Sequence, residues 1–159
     1  MTDNALANLP TLMVDIGEHA FLSQEVDMKL IGFYREMDPG YESSWGEPIP
    51  PPQSGAGKYP VRDVVKYLKS GYPIFDVMEM TADVIEGAFH VPGGSSLLTD
   101  GHFVWREDLA PHVERYVIDL PQEFLDAARS HGFRTPPSDH EALLKISIEA
   151  SRTLGFRPA

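Results

Sequence analysis

The stretch SLLTDGHFVWREDLAPHVERY, residues 96–116, carries side chains whose types and spacing could support acid–base chemistry. Its candidates are Asp100, His102 and Asp108, because carboxylates and imidazoles are frequent general acids and bases. A structural interpretation competes with this one. Asp100-Gly101 is typical of a type I′ hairpin turn, and Asp108 stands where a helix N-cap belongs. Each acid then has a sufficient structural role, so we favour a hairpin followed by a helix over a catalytic loop.

A second candidate group is Asp83, Glu86 and His90, which could converge on a metal ion. No pair of the six histidines has the HxxxH spacing of a zinc protease, and no serine lies in a G-x-S-x-G elbow. Cysteine is absent, which excludes thiol catalysis. We therefore predict a binding protein without a cofactor rather than an enzyme. A small metal- or carboxylate-dependent enzyme, using this group or carboxylates near Asp76, stays open as the alternative.

The charge of the chain favours a basic protein partner. The net charge is −11, from 24 acidic and 13 basic residues, and such a surface repels nucleic acids and anionic membranes. Residues 76–126 contain eleven acids against Arg106 and Arg115. This segment is either a solvated face or a docking face. We select six candidate partner-binding residues from it: Asp76, Glu79, Asp83, Glu86, Glu107 and Glu114.

The pattern of elements predicts one α+β domain with a small antiparallel sheet packed against about three helices. We assign residues 28–159 to this domain and residues 1–27, which hold five acids and no Lys or Arg, to an N-terminal extension or loosely docked segment. Residues 38–58 form a proline-rich loop, and its PIPPP run leaves an adaptor protein as a further alternative. The N-terminus lacks the features of a secretory signal, and no segment approaches roughly 18 consecutive apolar residues. These features favour a cytoplasmic protein.

Helical periodicity is clear in residues 59–71, 119–132 and 138–155. Asp119 with Gln122, and Ser138 with Glu141, resemble capping boxes at two of the starts. Residues 29–36 are β-prone, and the further strand candidates are YPIFDVM, GAFHVP, SSLLT and HFVWR. In the last of these, alternation places Phe103 and Trp105 on one face, and we predict that Trp105 is a core residue.

These motifs together resemble the signature of a widespread group of small bacterial proteins. The shared pattern is a TDG turn, a V-W-R strand, a D-L helix start and an L-P-x-E-F-L helix. Here it falls on Thr99-Asp100-Gly101, Val104-Trp105-Arg106, Asp108-Leu109, Leu120-Pro121 and Glu123-Phe124-Leu125, while IGFYREMDP at 31–39 is similar to the group's opening. The resemblance covers residues 28–136. It implies an immunity protein of a polymorphic-toxin system, which binds and neutralises a cognate toxin, such as a basic nuclease-like effector.

Overall fold

A computed structural model of the chain describes residues 26–38 and 45–155. Most of the predicted N-terminal segment, residues 1–25, lies outside the described residues, as do residues 39–44 of the predicted loop. The described part is an α+β domain. Its strands are β1 (Lys29–Leu30), β2 (Tyr72–Phe75), β3 (Met80–Ala82), β4 (His90–Pro92), β5 (Leu97–Thr99) and β6 (Phe103–Arg106). Its helices are α1 (Val61–Lys69), α2 (Leu109–Tyr116), α3 (Gln122–Ser130) and α4 (His140–Leu154), with a 3-10 turn at Arg35–Met37.

The strands form two sheets. The main sheet has the order β1-β6-β5-β2, and β3 and β4 form a separate antiparallel pair. The β5–β6 and β2–β5 pairs are antiparallel, as the sequence predicts, but β1 joins β6 in parallel and makes the main sheet mixed. The sequence predicts a strand here but not its parallel partner, because the pairing to His102 and Val104 spans more than seventy residues and has no local signal.

Helices cover both faces of the main sheet. Most of the core, including Phe103 and Trp105 of β6, lies on the face covered by α1, α2 and α3. A smaller cluster on the other face joins Leu97 and Val104 to Ile146 and Ala150 of α4. Strand β6 is therefore buried on both faces, which explains its continuous apolar run. The prediction of an α+β domain is confirmed, and its described part holds four α-helices, including the one predicted after Asp108. Within the described residues, no helix is long and apolar enough to cross a membrane.

Trp105 is the largest fully buried side chain, as predicted. Its indole Nε1 donates a hydrogen bond to the Leu68 carbonyl at 3.0 Å, which joins β6 to the end of α1. The ring packs edge-on against Phe124 of α3, with 5.7 Å between centroids. Gly71 follows α1 at the point of closest approach, where a Cβ atom would lie 2.7 Å from the Trp105 ring. Helix α1 can reach this ring only with glycine at that position.

The hairpin between β5 and β6 is confirmed, but the predicted type I′ turn is wrong. Only Gly101 has a positive φ, of 105°, and Thr99 pairs with Val104 across a four-residue connection. The Asp100 carboxylate shapes this connection, because its Oδ1 accepts hydrogen bonds from the backbone amides of His102 and Phe103. Its Oδ2 accepts a third hydrogen bond from the Tyr67 hydroxyl at 2.6 Å. Asp100 therefore builds the turn through its side chain.

None of the three predicted capping residues caps its helix with its side chain. Helix α2 does begin after Asp108, but the Asp108 side chain makes no cap hydrogen bond. Helix α3 begins at Gln122 after Pro121, so the capping box at Asp119 is wrong. The Asp119 carboxylate instead pairs with Lys58 at 3.2 Å. At α4 the cap is Asp139, one residue after the predicted Ser138, and it accepts a hydrogen bond from Ala142.

The described part of the proline-rich loop is tied to the domain body. The Gly55 amide donates to the Val117 carbonyl at 2.8 Å, and the buried Tyr59 hydroxyl donates to the Ile118 carbonyl at 2.7 Å. A Cβ at position 55 would lie 2.5 Å from the Ile118 carbonyl oxygen, so the close approach requires glycine. Near the first described residue, the Asp27 carbonyl lies within hydrogen-bonding distance, 2.9 Å, of His102 Nδ1. The last residue of the predicted N-terminal segment thus contacts the hairpin.

We expect Trp105→Ala to lower the free energy of unfolding by about 3–5 kcal/mol, because it leaves a large cavity and removes the hydrogen bond to the Leu68 carbonyl. Urea unfolding of both proteins measures the loss. Trp105→Phe, which keeps a ring and loses only the hydrogen bond and part of the volume, is the matched variant and should lose less. A loss below about 1 kcal/mol for Trp105→Ala would contradict the packing described above.

Candidate functional site

Asp83, a predicted partner-binding residue, is an internal structural acid. It is only 5% exposed. Its Oδ2 accepts a 2.8 Å hydrogen bond from the Ala88 amide and another hydrogen bond from the Tyr116 hydroxyl. Its Oδ1 accepts from the Ile85 amide at 2.8 Å. The prediction that Asp83 contributes to a docking face is therefore wrong. Its carboxylate organises the turn at residues 83–88 and joins that turn to α2.

The hydrogen bonds of Asp83 also set its ionisation. Burial by itself would raise the pKa of this carboxyl, but the donors from Tyr116 and from three backbone amides outweigh burial and lower the pKa to about 2. The partner responds in the opposite direction, because burial and the bond to Asp83 both raise the pKa of Tyr116. The pair is thus held as a carboxylate and a neutral phenol.

His112 completes this buried cluster and was not among the predicted site residues. The imidazole is fully buried on α2, and its Nε2 accepts a hydrogen bond from the Val84 amide at 3.2 Å. Because Nε2 is an acceptor, Nδ1 carries the proton and donates to the Asp108 carbonyl at 2.8 Å. The available signal was the i, i+3, i+4, i+7 stripe formed by Leu109, His112, Val113 and Tyr116, which places this histidine on the core face.

The proposed metal ligands do not meet. Asp83 is committed to Tyr116, whereas Glu86 is exposed and lies 3.9 Å from Arg115. His90 is exposed on β4. Across residues 26–38 and 45–155, no group of three His, Asp or Glu side chains is arranged to hold a metal ion. The two acids of the hairpin region, Asp100 and Asp108, are both buried, which disfavours the catalytic loop considered from the sequence.

Two further predicted docking acids are exposed beside a cation. Glu86 lies near Arg115, and Glu114 lies 3.8 Å from Lys69 of α1. Both pairs are more than half exposed, so each contributes little to stability. The neighbouring cations also reduce the negative potential that Glu86 and Glu114 can present to a partner.

The remaining three predicted acids lie together on one exposed surface. Asp76, Glu79 and Glu107 are exposed, and their side chains form no hydrogen bond or ion pair with any of the described residues. Ser96 connects their backbones, because its Oγ bonds the Val77 amide and its carbonyl accepts from the Glu107 amide. Partial burial, and then the negative charges of Asp76 and Asp108, raise the pKa of Glu107, so Asp76 and Glu107 lie close enough to repel each other.

Two methionines stand among these acids. Met78 is 95% exposed and Met80 is 58% exposed, and they alternate with Asp76 and Glu79 along one short segment. We call this set, Asp76, Met78, Glu79, Met80 and Glu107, the methionine–acid surface. Sequence reasoning identified its acids and missed its methionines. The signal was the run DVMEM, in which large apolar side chains sit between charges instead of alternating to form a core face.

We expect Asp83→Asn to lower the free energy of unfolding by about 3 kcal/mol, because the amide group cannot accept from all of the donors that face it. Asp76→Asn is the matched control, since it removes the same charge from an exposed position, and it should change stability by less than about 0.5 kcal/mol. Urea unfolding at neutral pH measures both variants. Equal losses in the two would contradict the internal role of Asp83.

The low pKa of Asp83 also predicts a pH dependence. Because the folded pKa of about 2 lies below the ordinary 3.8, the unfolded state binds this proton more tightly. The contribution of Asp83 is complete above about pH 4 and declines as the pH falls toward 2. The stability difference between the parent and Asp83→Asn should therefore narrow between pH 4 and pH 2. A difference that stays constant over this interval would contradict the assignment.

Comparison with family models, with curated proteins and with solved structures gave no match to this chain. The resemblance to the bacterial group, carried by the TDG and V-W-R motifs, thus remains a prediction from the sequence. A function for the chain has to be argued from the geometry of the methionine–acid surface and its surroundings.

Proposed function

We propose that the protein is a cytoplasmic immunity protein, which binds and neutralises a cognate bacterial toxin through the methionine–acid surface. The observation that carries this proposal is the exposure of Met78 and Met80 among carboxylates that have no counterion in the described residues. The side chain of Met78 packs against almost nothing, and more than half of the Met80 side chain is exposed. A surface that combines apolar contacts with unbalanced charge is typical of a protein-binding site.

The methionines supply the affinity in this proposal. Burying a large apolar side chain is worth about 1.5–3 kcal/mol, and none of that is gained by Met78 while it stays 95% exposed. Methionine is also unbranched and polarisable, so it adapts to the shape of a partner. Contact with a toxin would bury both thioethers.

The acids supply the choice of partner. With a net charge of −11 the whole chain attracts cations, and Asp76, Glu79 and Glu107 concentrate that charge beside the methionines. A toxin that acts on nucleic acid needs a basic cleft, and an acidic protein can steer toward that cleft and occupy it. The mutual repulsion of Asp76 and Glu107 would be relieved by a bound Lys or Arg.

We propose binding in preference to catalysis, because the acids and bases best placed to act together are internal. Asp83 and His112 approach to 3.6 Å, but both are enclosed and hydrogen-bonded to the fold. The enzyme alternative built on Asp83, Glu86 and His90 therefore has less support than it had from the sequence. No contact or pocket within the described residues adds support to the adaptor alternative, which depends on the PIPPP run.

Co-expression with the toxin encoded beside the gene is the direct test of the proposed function. The pair is expected to co-purify, and the protein is expected to restore growth to cells that make the toxin. If the two proteins neither co-purify nor restore growth together, the proposal fails.

Charge reversal tests the surface itself. We expect the triple variant Asp76→Lys, Glu79→Lys and Glu107→Lys to bind the toxin about tenfold more slowly at low salt and to lose most of the salt dependence, because these charges steer association. The control triple, Asp63→Lys, Asp126→Lys and Glu141→Lys, changes the net charge by the same amount at exposed positions elsewhere.

Stopped-flow association at two ionic strengths measures both triples, and circular dichroism checks that both are folded. Equal slowing by the two triples would mean that only net charge matters and that the methionine–acid surface is not the docking site. Asp83 is left unchanged in this experiment because its carboxylate belongs to the fold.

A further inference from the structure

A pocket opens directly beside the methionine–acid surface. It has a volume of about 490 Å³, and Glu79 and Met80 of that surface are part of its lining. Phe75, Val77 and Trp45 add further apolar wall, and Ser95 also lines the pocket. We call it the Ser95 pocket. Its continuity with the methionine–acid surface means that a partner docked on one would also cover the other.

The charges of the Ser95 pocket favour a cation. Its lining includes Glu36, Asp38 and Glu79, with Arg106 as a cation. Arg106 is not available to an anionic ligand, because its Nε and Nη2 donate to the two carboxylate oxygens of Asp108 at 3.0 and 2.8 Å. The buried Arg106–Asp108 pair is neutral as a unit, so the exposed carboxylate of Glu79, which has no hydrogen bond or ion pair within the described residues, gives the pocket its negative charge.

Ser95 adds an unused polar atom to the pocket. Its Oγ is shielded from solvent and has no hydrogen-bond partner among the described residues. The adjacent Ser96 shows the contrast, because its Oγ accepts from the Val77 amide and donates to the Val77 carbonyl. A shielded hydroxyl without a partner is unfavourable. If the Ser95 side chain turns toward the pocket, the N–H donor of a ligand bound there would satisfy it.

We propose that the Ser95 pocket receives an arginine side chain of the partner protein. The inference rests on the proposed function and specifies how the toxin is recognised. The methylene stem of the partner's arginine lies against Met80 and Phe75. Its guanidinium donates to Ser95 Oγ and to the carboxylate of Glu79. Arginine fits better than lysine because its guanidinium is more weakly hydrated and its planar set of donors can reach both acceptors at once.

The pocket can be tested without the toxin. The probe is Nα-acetyl-arginine N-methylamide, followed through the backbone amide signals of the full chain by nuclear magnetic resonance. The uncharged isostere Nα-acetyl-citrulline N-methylamide is the matched ligand control. We expect saturable shifts at Val77, Met80 and Ser95 with the arginine probe, much smaller shifts with citrulline, and weaker binding of the corresponding lysine amide.

Two variants assign the contacts. Ser95→Ala should weaken binding of the arginine probe about tenfold, as expected for one hydrogen bond to a charged group, and Glu79→Gln about fivefold. Glu141→Gln on α4 is the control and should bind as the parent does. Thermal unfolding supplies the second measurement. Because Ser95 Oγ has no partner to lose, Ser95→Ala should keep or raise the melting temperature while it weakens binding.

The proposal is overturned if the arginine probe produces no saturable shift, if citrulline binds equally well, or if both variants bind like the parent. It is also overturned if Ser95→Ala lowers the melting temperature by several degrees, since the hydroxyl would then be structural. These outcomes are distinct from failure of the proposed function. A protein that neutralises its toxin but ignores the arginine probe refutes the pocket assignment alone.

Discussion

The buried carboxylate of Asp108 is the constraint on which the rest of the structure depends. Its two oxygens bind the guanidinium of Arg106 at the end of β6, and Oδ2 also accepts from Thr81 of β3 at 2.9 Å. Its backbone amide donates to the Gly94 carbonyl, and its carbonyl accepts from His112. One residue thus joins the main sheet, the β3–β4 pair and α2. Breaking a buried pair of this kind costs about 3–5 kcal/mol, because the remaining charge is left without a partner.

The turn at residues 93–96 packs closely against β3. A Cβ at Gly94 would lie 1.8 Å from the Thr81 hydroxyl, so glycine is required where the 93–96 turn crosses β3. The same turn presents Ser95 to the pocket and Ser96 to Val77. Arg106 of the buried ion pair lines the same pocket as Glu79 and Met80, which connects this pair to the methionine–acid surface.

Two groups of acids in this protein have different physical roles. Asp83, Asp100 and Asp108 are buried, and each accepts hydrogen bonds that join a helix to a strand or turn. Two of them bind a tyrosine hydroxyl. Burial, together with the bond to Asp100, raises the pKa of Tyr67 well above its usual value, so this phenol remains a donor at any physiological pH. The exposed acids Asp76, Glu79 and Glu107 make no such bonds and remain available to a partner.

The sequence alone determined the elements that depend on local pattern. Apolar periodicity located the helices, and alternation identified Trp105 as a core residue. Both signals arise between residues that are close together in the sequence. The sequence could not decide which acids are internal. Asp83 and Tyr116 are separated by thirty-three residues, as are Tyr67 and Asp100, and an aspartate that will be buried has the same local neighbours as one that will not. Only the tertiary structure brings the donors to the carboxylate, and the energy of those hydrogen bonds makes burial possible.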